Sequence, residues 1–368
     1  MFDRRRRRPV VGSAMATCAV VIACVWSAQV AASPPSTYRD GLVFLWQDAD
    51  ADNEVYDLRA QTAIYCGGNL AGLAFYDRHF AVRLDEGAFV PQDPDGRILG
   101  ALGASNAFSL EATVEPRETD ESAAGSIVSL GSGATRLFAV GQRGATLVFR
   151  LRGHDPDIEV ARVAADGATH VVVTYHPGAL TAYANGRQTL AADVHVDVSA
   201  WPDGRLVFGD ANDDGHGWRG VLEGVAIYDR VLSQEEVLSR AQNAAARRLA
   251  QSTAPRAIVH ARVVEASIVP PVDRLREYPR ALAVHAYEVV KRESGALSAD
   301  DILVARWVYL DRKRVDSPYA MLPGATHRLV IESFEEHPEL DGERQFISVE
   351  ELDLPLYYDV SGPPWPER

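Results

Sequence analysis

Cysteine, lysine and sustained helical periodicity are all scarce in this chain of 368 residues. The cysteines are Cys18, Cys24 and Cys66. The first two fall in an N-terminal segment that reads as a leader, so Cys66 has no partner and no internal disulfide is expected. The cores must then hold by packing, with a metal as the other available staple. Cys66 reads as a small buried apolar residue, the usual place of a free cysteine, rather than as a reactive thiol. Lysine occurs only at Lys291 and Lys313, and Lys+Arg total 37 against 51 Asp+Glu, a formal charge of −14. That balance excludes a basic nucleic-acid or anionic-membrane footprint. His-Glu-x-x-His, Gly-x-Ser-x-Gly and Ser-x-x-Lys are all missing, and Gly131-Ser132-Gly133 lacks the third glycine of a dinucleotide loop, so it reads as a turn.

What is present supports folded cores: 47% hydrophobic, 24% charged and 8% aromatic residues, too apolar for a disordered chain. The length favours two domains of about 100 to 200 residues each. Arg4 to Arg8, the apolar Val10 to Trp26, and Val30-Ala31-Ala32 before Ser33 form a secretory leader pattern over 1–32. The apolar run is interrupted by Gly12, Ser13 and Thr17 and falls short of the roughly 20 residues of a membrane span. The protein is therefore expected in the periplasm or outside the cell. Val21-Ile22-Ala23-Cys24 keeps open the alternative of a lipid anchor on Cys24. Loss of the leader removes five arginines and one aspartate and takes the charge to −18.

From 37 to 232 the chain reads as short β runs between Gly, Asp, Asn and Pro clusters, the pattern of an all-β sandwich or barrel. Phe108 to Val114 alternates between an apolar and a polar face, and Asn185-Gly186 predicts a primed hairpin turn. No helix is expected before Leu232. Ser233-Gln234-Glu235-Glu236 is a capping box, and it predicts a connecting helix over 233–252 that ends before Pro255. The segment 256–360 returns to β, with strands expected at 257–264, 281–290, 302–310, 327–333 and 346–349. The Pro-rich 361–368 reads as a frayed tail. The fold class is all-β: a jelly-roll sandwich, a connecting helix, and a smaller β-rich domain.

Four blocks carry a resemblance: Gly41 to Trp46, Ala107 to Pro116, Thr169 to Tyr175 with Tyr183-Ala184-Asn185-Gly186, and Trp218 to Glu236. In this order they resemble the LamG-like, concanavalin A-like jelly-roll domains of secreted bacterial proteins. The departure is Leu222-Glu223-Gly224, where that family has Ile-Asp-Glu, so a role carried by the family's Asp is not transferred. The second domain, through Tyr287 to Lys291, Asp301 to Ala305 and Leu322-Pro323-Gly324, is similar to OB-like barrels of the netrin or metalloproteinase-inhibitor type.

The resemblance implies a binding domain with ligands at its rim. Asp210, Asp213 and Asp214, in the run Asp210 to Gly215, are candidate calcium ligands, with a solvated turn as the plain alternative. Asp48, Asp50 and Asp52 fail as an EF-hand because the glycine is missing and Arg59 stands where Glu is needed. Trp218 and His216 beside that loop are the candidate ligand-binding residues, Trp218 by stacking on a sugar. Packing is the alternative use for Trp218, as for Trp201, Tyr175 and Tyr183. His154, His170, His176 and His195 lack zinc-ligand spacing. A glycoside hydrolase needs two carboxylates about 5 to 9 Å apart. The nearest match, Glu351-Leu352-Asp353, lies outside the jelly roll. The expected function is therefore an exported, non-catalytic protein that recognises an extracellular glycan or protein. Alternatives are an accessory protein of envelope polysaccharide assembly or modification, acting through an enzyme partner, and a glycoside hydrolase.

Overall fold

A computed structural model describes residues 40–361, apart from 48–53, 58–61, 66–67, 79–80, 92–95, 133–134, 165–166, 211–216, 251–253, 298 and 317–320, and for side chains apart from 47–69. Asp40–Arg368 is one compact unit. The strands before the connecting helix are β1 Leu42–Gln47, β2 Glu54–Asp57, β3 Thr62–Tyr65, β4 Gly68–Ala71, β5 Ala74–Tyr76, β6 Val82–Asp85, β7 Ala88–Pro91, β8 Phe108–Pro116 and β9 Ala124–Ser132. They continue with β10 Thr135–Arg143, β11 Thr146–Leu151, β12 Ile158–Arg162, β13 Thr169–His176, β14 Ala179–Ala184, β15 Arg187–Ala192, β16 Arg205–Gly209 and β17 Arg219–Tyr228. One sheet runs β15-β14-β13-β8-β17-β6-β5, with β1 also on β17, and the other runs β12-β11-β10-β9-β16-β7-β4. Their inner faces meet in one core that includes Phe108, Leu110, Val114, Phe138, Val140, Phe149, Phe208 and Trp218. This is the expected jelly-roll sandwich, and Asn185 (φ 50°) and Gly186 (φ 77°) make the predicted primed turn.

The alternation in β8 holds, but its polar face does not meet water. Ser109, Glu111 and Thr113 are buried because helix α2, Gln234–Ala250, lies on this face with Val237, Arg240, Ala241 and Ala244 turned inward at helical spacing. Its N-terminus closes as the capping box predicts: Glu236 accepts from the Ser233 amide at 2.8 Å, and Ser233 Oγ accepts from the Glu236 amide at 3.2 Å. Arg240 reaches the Tyr228 hydroxyl and lies 3.7 Å from Glu111, whose other oxygen is 2.9 Å from His170 Nε2. Burial pushes the Glu111 carboxyl up, but His170 and Arg240 outweigh it and hold it below the usual range. The expectation of no helix before Leu232 is corrected by helix α1, Arg97–Ser105, numbered ahead of α2 in chain order. Two glycines, Gly100 and Gly103, dilute its pattern to three buried residues, Ile98, Ala101 and Leu102.

After α2 come β18 Arg256–Glu265, β19 Ala281–Ser294, β20 Asp301–Leu310, β21 Lys313–Arg314, β22 Thr326–Ser333, β23 Arg344–Ile347 and β24 Leu356–Asp359. Strands β18, β19, β20, β24 and β22 close in that order, and the β20–β24 pair is parallel. In domain order this is 1-2-3-5-4, the OB-like arrangement. The fifth barrel strand is β24, not the expected 346–349. Residues 344–347 instead add a parallel strand beside β19.

The outer face of the barrel is where the β5–β6 hairpin sits. Phe75 packs on Trp307 at 5.6 Å between ring centroids and joins a core of Leu282, Val284, Leu303, Ala305 and Tyr358. The Gly72 amide donates to Asp311 Oδ2 at 3.0 Å, and Arg78 Nε lies 3.7 Å from Glu332 Oε2. Under this contact His337 is wholly buried, with Nδ1 2.7 Å from Glu339 and Nε2 3.2 Å from Glu332. Burial pushes the His337 imidazole down, but the two carboxylates outweigh it and lift it to about 9.

Truncation of Phe75 to Ala is expected to lower stability by about 3–5 kcal/mol in chemical denaturation, with the barrel and sandwich no longer melting as one transition. Because His337 titrates above its ordinary 6.5, its stabilisation is complete below about pH 6.5 and is lost as pH rises through about 9. The unfolding free energy should fall across that window by on the order of 3 kcal/mol, and the slope should vanish in His337→Gln.

Candidate functional site

The outward face of the second sheet carries a groove across β9, β10 and β11. Bulges set its floor, because the β9–β10 register shifts between Arg136 and Phe138 and again between Val140 and Gly141. Val140 pairs with Val128 and both point into the core, while Ala139, Gly141, Ser126 and Val148 turn outward. These small side chains leave a cavity of about 340 Å³, within the usual range for a small-ligand site. Gly141 keeps the floor low, since a Cβ there would stand 2.9 Å from the Gly125 carbonyl oxygen.

The walls are charged: Arg136, Arg143, Arg150, Asp157 and Asp210. Arg150 donates from Nε and Nη2 to the two Asp157 oxygens at 2.9 and 2.8 Å, a fork that fixes the guanidinium plane. Arg136 Nη2 lies 3.6 Å from Asp210, and Arg143 Nη2 lies 3.4 Å from Glu159. The Ser126 hydroxyl is buried without a hydrogen-bond partner. The groove thus presents paired donors and acceptors over a floor without aromatic rings, which suits a hydroxyl-rich ligand held by polar contacts rather than by ring stacking.

Of the residues singled out from sequence, Asp210 lines this groove. His216, Asp213 and Asp214 lie outside the described residues, as do Asp48, Asp50 and Asp52. Trp218 requires correction. It is 1% exposed, and its indole N–H donates to Gln142 Oε1 at 2.6 Å, so its ring offers no face to a sugar. The same Gln142 donates from Nε2 to the carbonyls of Glu118 and Gly144, both at 2.7 Å, so Trp218 helps hold the rim loops. Gly125 (φ 151°) makes room for it, because a Cβ there would fall 2.4 Å from the Trp218 nitrogen. Tyr175 is buried with its hydroxyl on Val196, and Trp201 packs against Phe108 and Phe138. His170 is a buried partner of Glu111. Sequence reasoning missed Arg136, Arg143, Arg150 and Asp157. Arg136 and Arg143 stand seven residues apart in β10, a spacing that plain alternation puts on opposite faces, so the sequence carried no signal for them.

At the rim, Asp85 is buried between Arg117 (3.2 Å) and Arg219 (3.1 Å), and Arg219 also binds Glu86 at 2.6 Å. Burial raises the Asp85 carboxyl to about 6 in spite of these arginines. Among the described residues no group of three or more His, Cys, Asp or Glu is placed to hold a metal, and no helix is long and apolar enough to cross a membrane.

Residues 95–238 match the concanavalin A-like lectin/glucanases superfamily. Comparison with curated proteins gives no match. Among solved structures, the chain is similar to the sialidase of Trypanosoma rangeli in complex with sialic acid, at 17% identity and a TM-score of 0.43, over 56% of this chain and 33% of that one. The chain thus spans about a third of that sialidase. It is also similar to the binding domain of botulinum neurotoxin DC in complex with rat synaptotagmin II, at 10% identity and a TM-score of 0.46, over 80% of this chain and 74% of that one.

Changing Trp218 to Phe leaves Gln142 Oε1 buried without a donor. This should cost about 1–3 kcal/mol of stability in thermal or chemical denaturation.

Proposed function

We propose that this is an exported, non-catalytic binding protein whose jelly roll takes an extracellular saccharide in the groove across β9, β10 and β11. The observation that carries this reading is the groove itself: about 340 Å³, floored by Gly141, Ala139, Ser126 and Val148, and walled by arginine–aspartate pairs. A sugar hydroxyl both donates and accepts, and the Arg150–Asp157 fork offers both roles from a fixed plane. The match of 95–238 to a superfamily of lectins and glucanases supports a glycan-related role. Export is supported by the arginine run, apolar stretch and small residues of 1–32. The non-catalytic assignment is supported by the two carboxylates that line the groove among the described residues, Asp157 and Asp210: each faces an arginine rather than flanking an open site as an acid and nucleophile pair does.

The test is calorimetric titration of the full chain with a panel of oligosaccharides, with release of reducing ends followed in parallel. Binding without turnover is expected. Val148→Trp, which fills the floor, should weaken binding at least tenfold, with retention of the fold checked by circular dichroism. Binding indifferent to this substitution, or steady turnover, contradicts the proposal.

A further inference from the structure

We infer that the saccharide held in the groove is acidic, with a carboxylate or sulfate gripped by Arg143 and Arg150. This rests on the groove being the binding site and says which class of saccharide it selects. Among the described residues the groove is lined by Arg136, Arg143 and Arg150, each facing one carboxylate: Asp210, Glu159 and Asp157. In a chain whose formal charge is −14, such a cluster of three arginines is where an anionic polymer meets least repulsion.

The arginines also differ in how firmly they are engaged. Arg143 meets Glu159 at 3.4 Å with side chains 61% and 70% exposed. Such a surface pair contributes little in water, so a ligand anion can replace Glu159 at small cost. Arg150 is held by Asp157 through Nε and Nη2, which leaves Nη1 outside the fork to meet a ligand oxygen. On β9, beside the strand that carries Arg136 and Arg143, the Ser126 hydroxyl is buried without a partner and supplies a further donor at the floor. Among the described residues no aromatic side chain lines the groove, so they offer a pyranose no ring to stack on. Orientation must come from a strong polar anchor, and the planar guanidinium matches carboxylate and sulfate oxygens two at a time.

The experiment titrates the full chain with a neutral cello-oligosaccharide, a carboxylated oligogalacturonate and a sulfated carrageenan oligosaccharide, each at low and high salt. At least one acidic probe should bind tenfold or more tighter than the neutral one and weaken as salt rises. Binding of both acidic probes shows a general anion grip, and binding of one identifies the group selected. Arg143→Glu, at an exposed position, should cost the acidic probe at least tenfold, and several times more than it costs the neutral probe. A neutral probe that binds as tightly as the acidic ones, or acidic binding unchanged by Arg143→Glu, overturns the inference. The groove would still stand as the site if Val148→Trp blocks binding. If no probe binds at millimolar concentration, both the inference and the groove reading fall.

Discussion

The contact on which the rest of the molecule depends is the burial of the barrel's outer face under the β5–β6 hairpin of the sandwich. Phe75 against Trp307 supplies the apolar part. Glu332 supplies the polar part, gathering Arg256 at 2.8 Å, Arg78 at 3.7 Å and His337 at 3.2 Å. An OB-type barrel commonly binds ligands across its second and third strands. Here one face of those strands, with Leu282, Val284, Leu303 and Ala305, is consumed by docking. On the proposed reading, recognition then falls to the sandwich, on the sheet that does not carry the hairpin.

The first sheet is committed in a similar way. Its outer face is sealed by α2, and the seal places charge as well as apolar surface out of water. Arg240 enters beside Glu111 and over the Tyr228 ring at 4.3 Å, and Arg248 spans Glu115 and Glu223. Removing one partner from such a cluster costs more than the pair contributes, because the other charge stays buried. Glu223 also accounts for the departure from the family pattern at Leu222-Glu223-Gly224. Its carboxylate lies 3.1 Å from Arg248, so the position serves helix docking. With one sheet under α2 and the hairpin edge against the barrel, the groove on the second sheet is left as an open polar concavity.

The fold was largely legible where local chemistry decides. Alternation in Phe108–Pro116, the Asn185-Gly186 turn and the Ser233–Glu236 capping box each determine their element within a few residues, and all three appear as read. The strand runs of the second domain pointed to a small β barrel or open sandwich and the resemblance to an OB-like one, but the fifth barrel strand was not read, because Pro355 reads as a strand breaker while Leu356–Asp359 follows it directly. The site was much less legible. Its floor depends on bulges that bring Gly141 opposite Ser126, and no local pattern encodes that register. Trp218 misled because a tryptophan beside an acidic loop has the composition of a sugar platform, whereas its burial depends on Gln142 and Gly125, 76 and 93 positions away in sequence. Asp210 was found for its acidity, and it enters the site as the partner of Arg136.

On the proposed function, ligand is held by the arginines of the groove on the second sheet. The side-chain Nε–H NMR spectrum of the arginines during titration with an oligogalacturonate tests this. The signals of Arg136, Arg143 and Arg150 should move together and saturably while those of Arg240, Arg256 and Arg306 stay fixed. Saturable binding that shifts arginines of the barrel or of α2 and leaves the three groove arginines unmoved would contradict it.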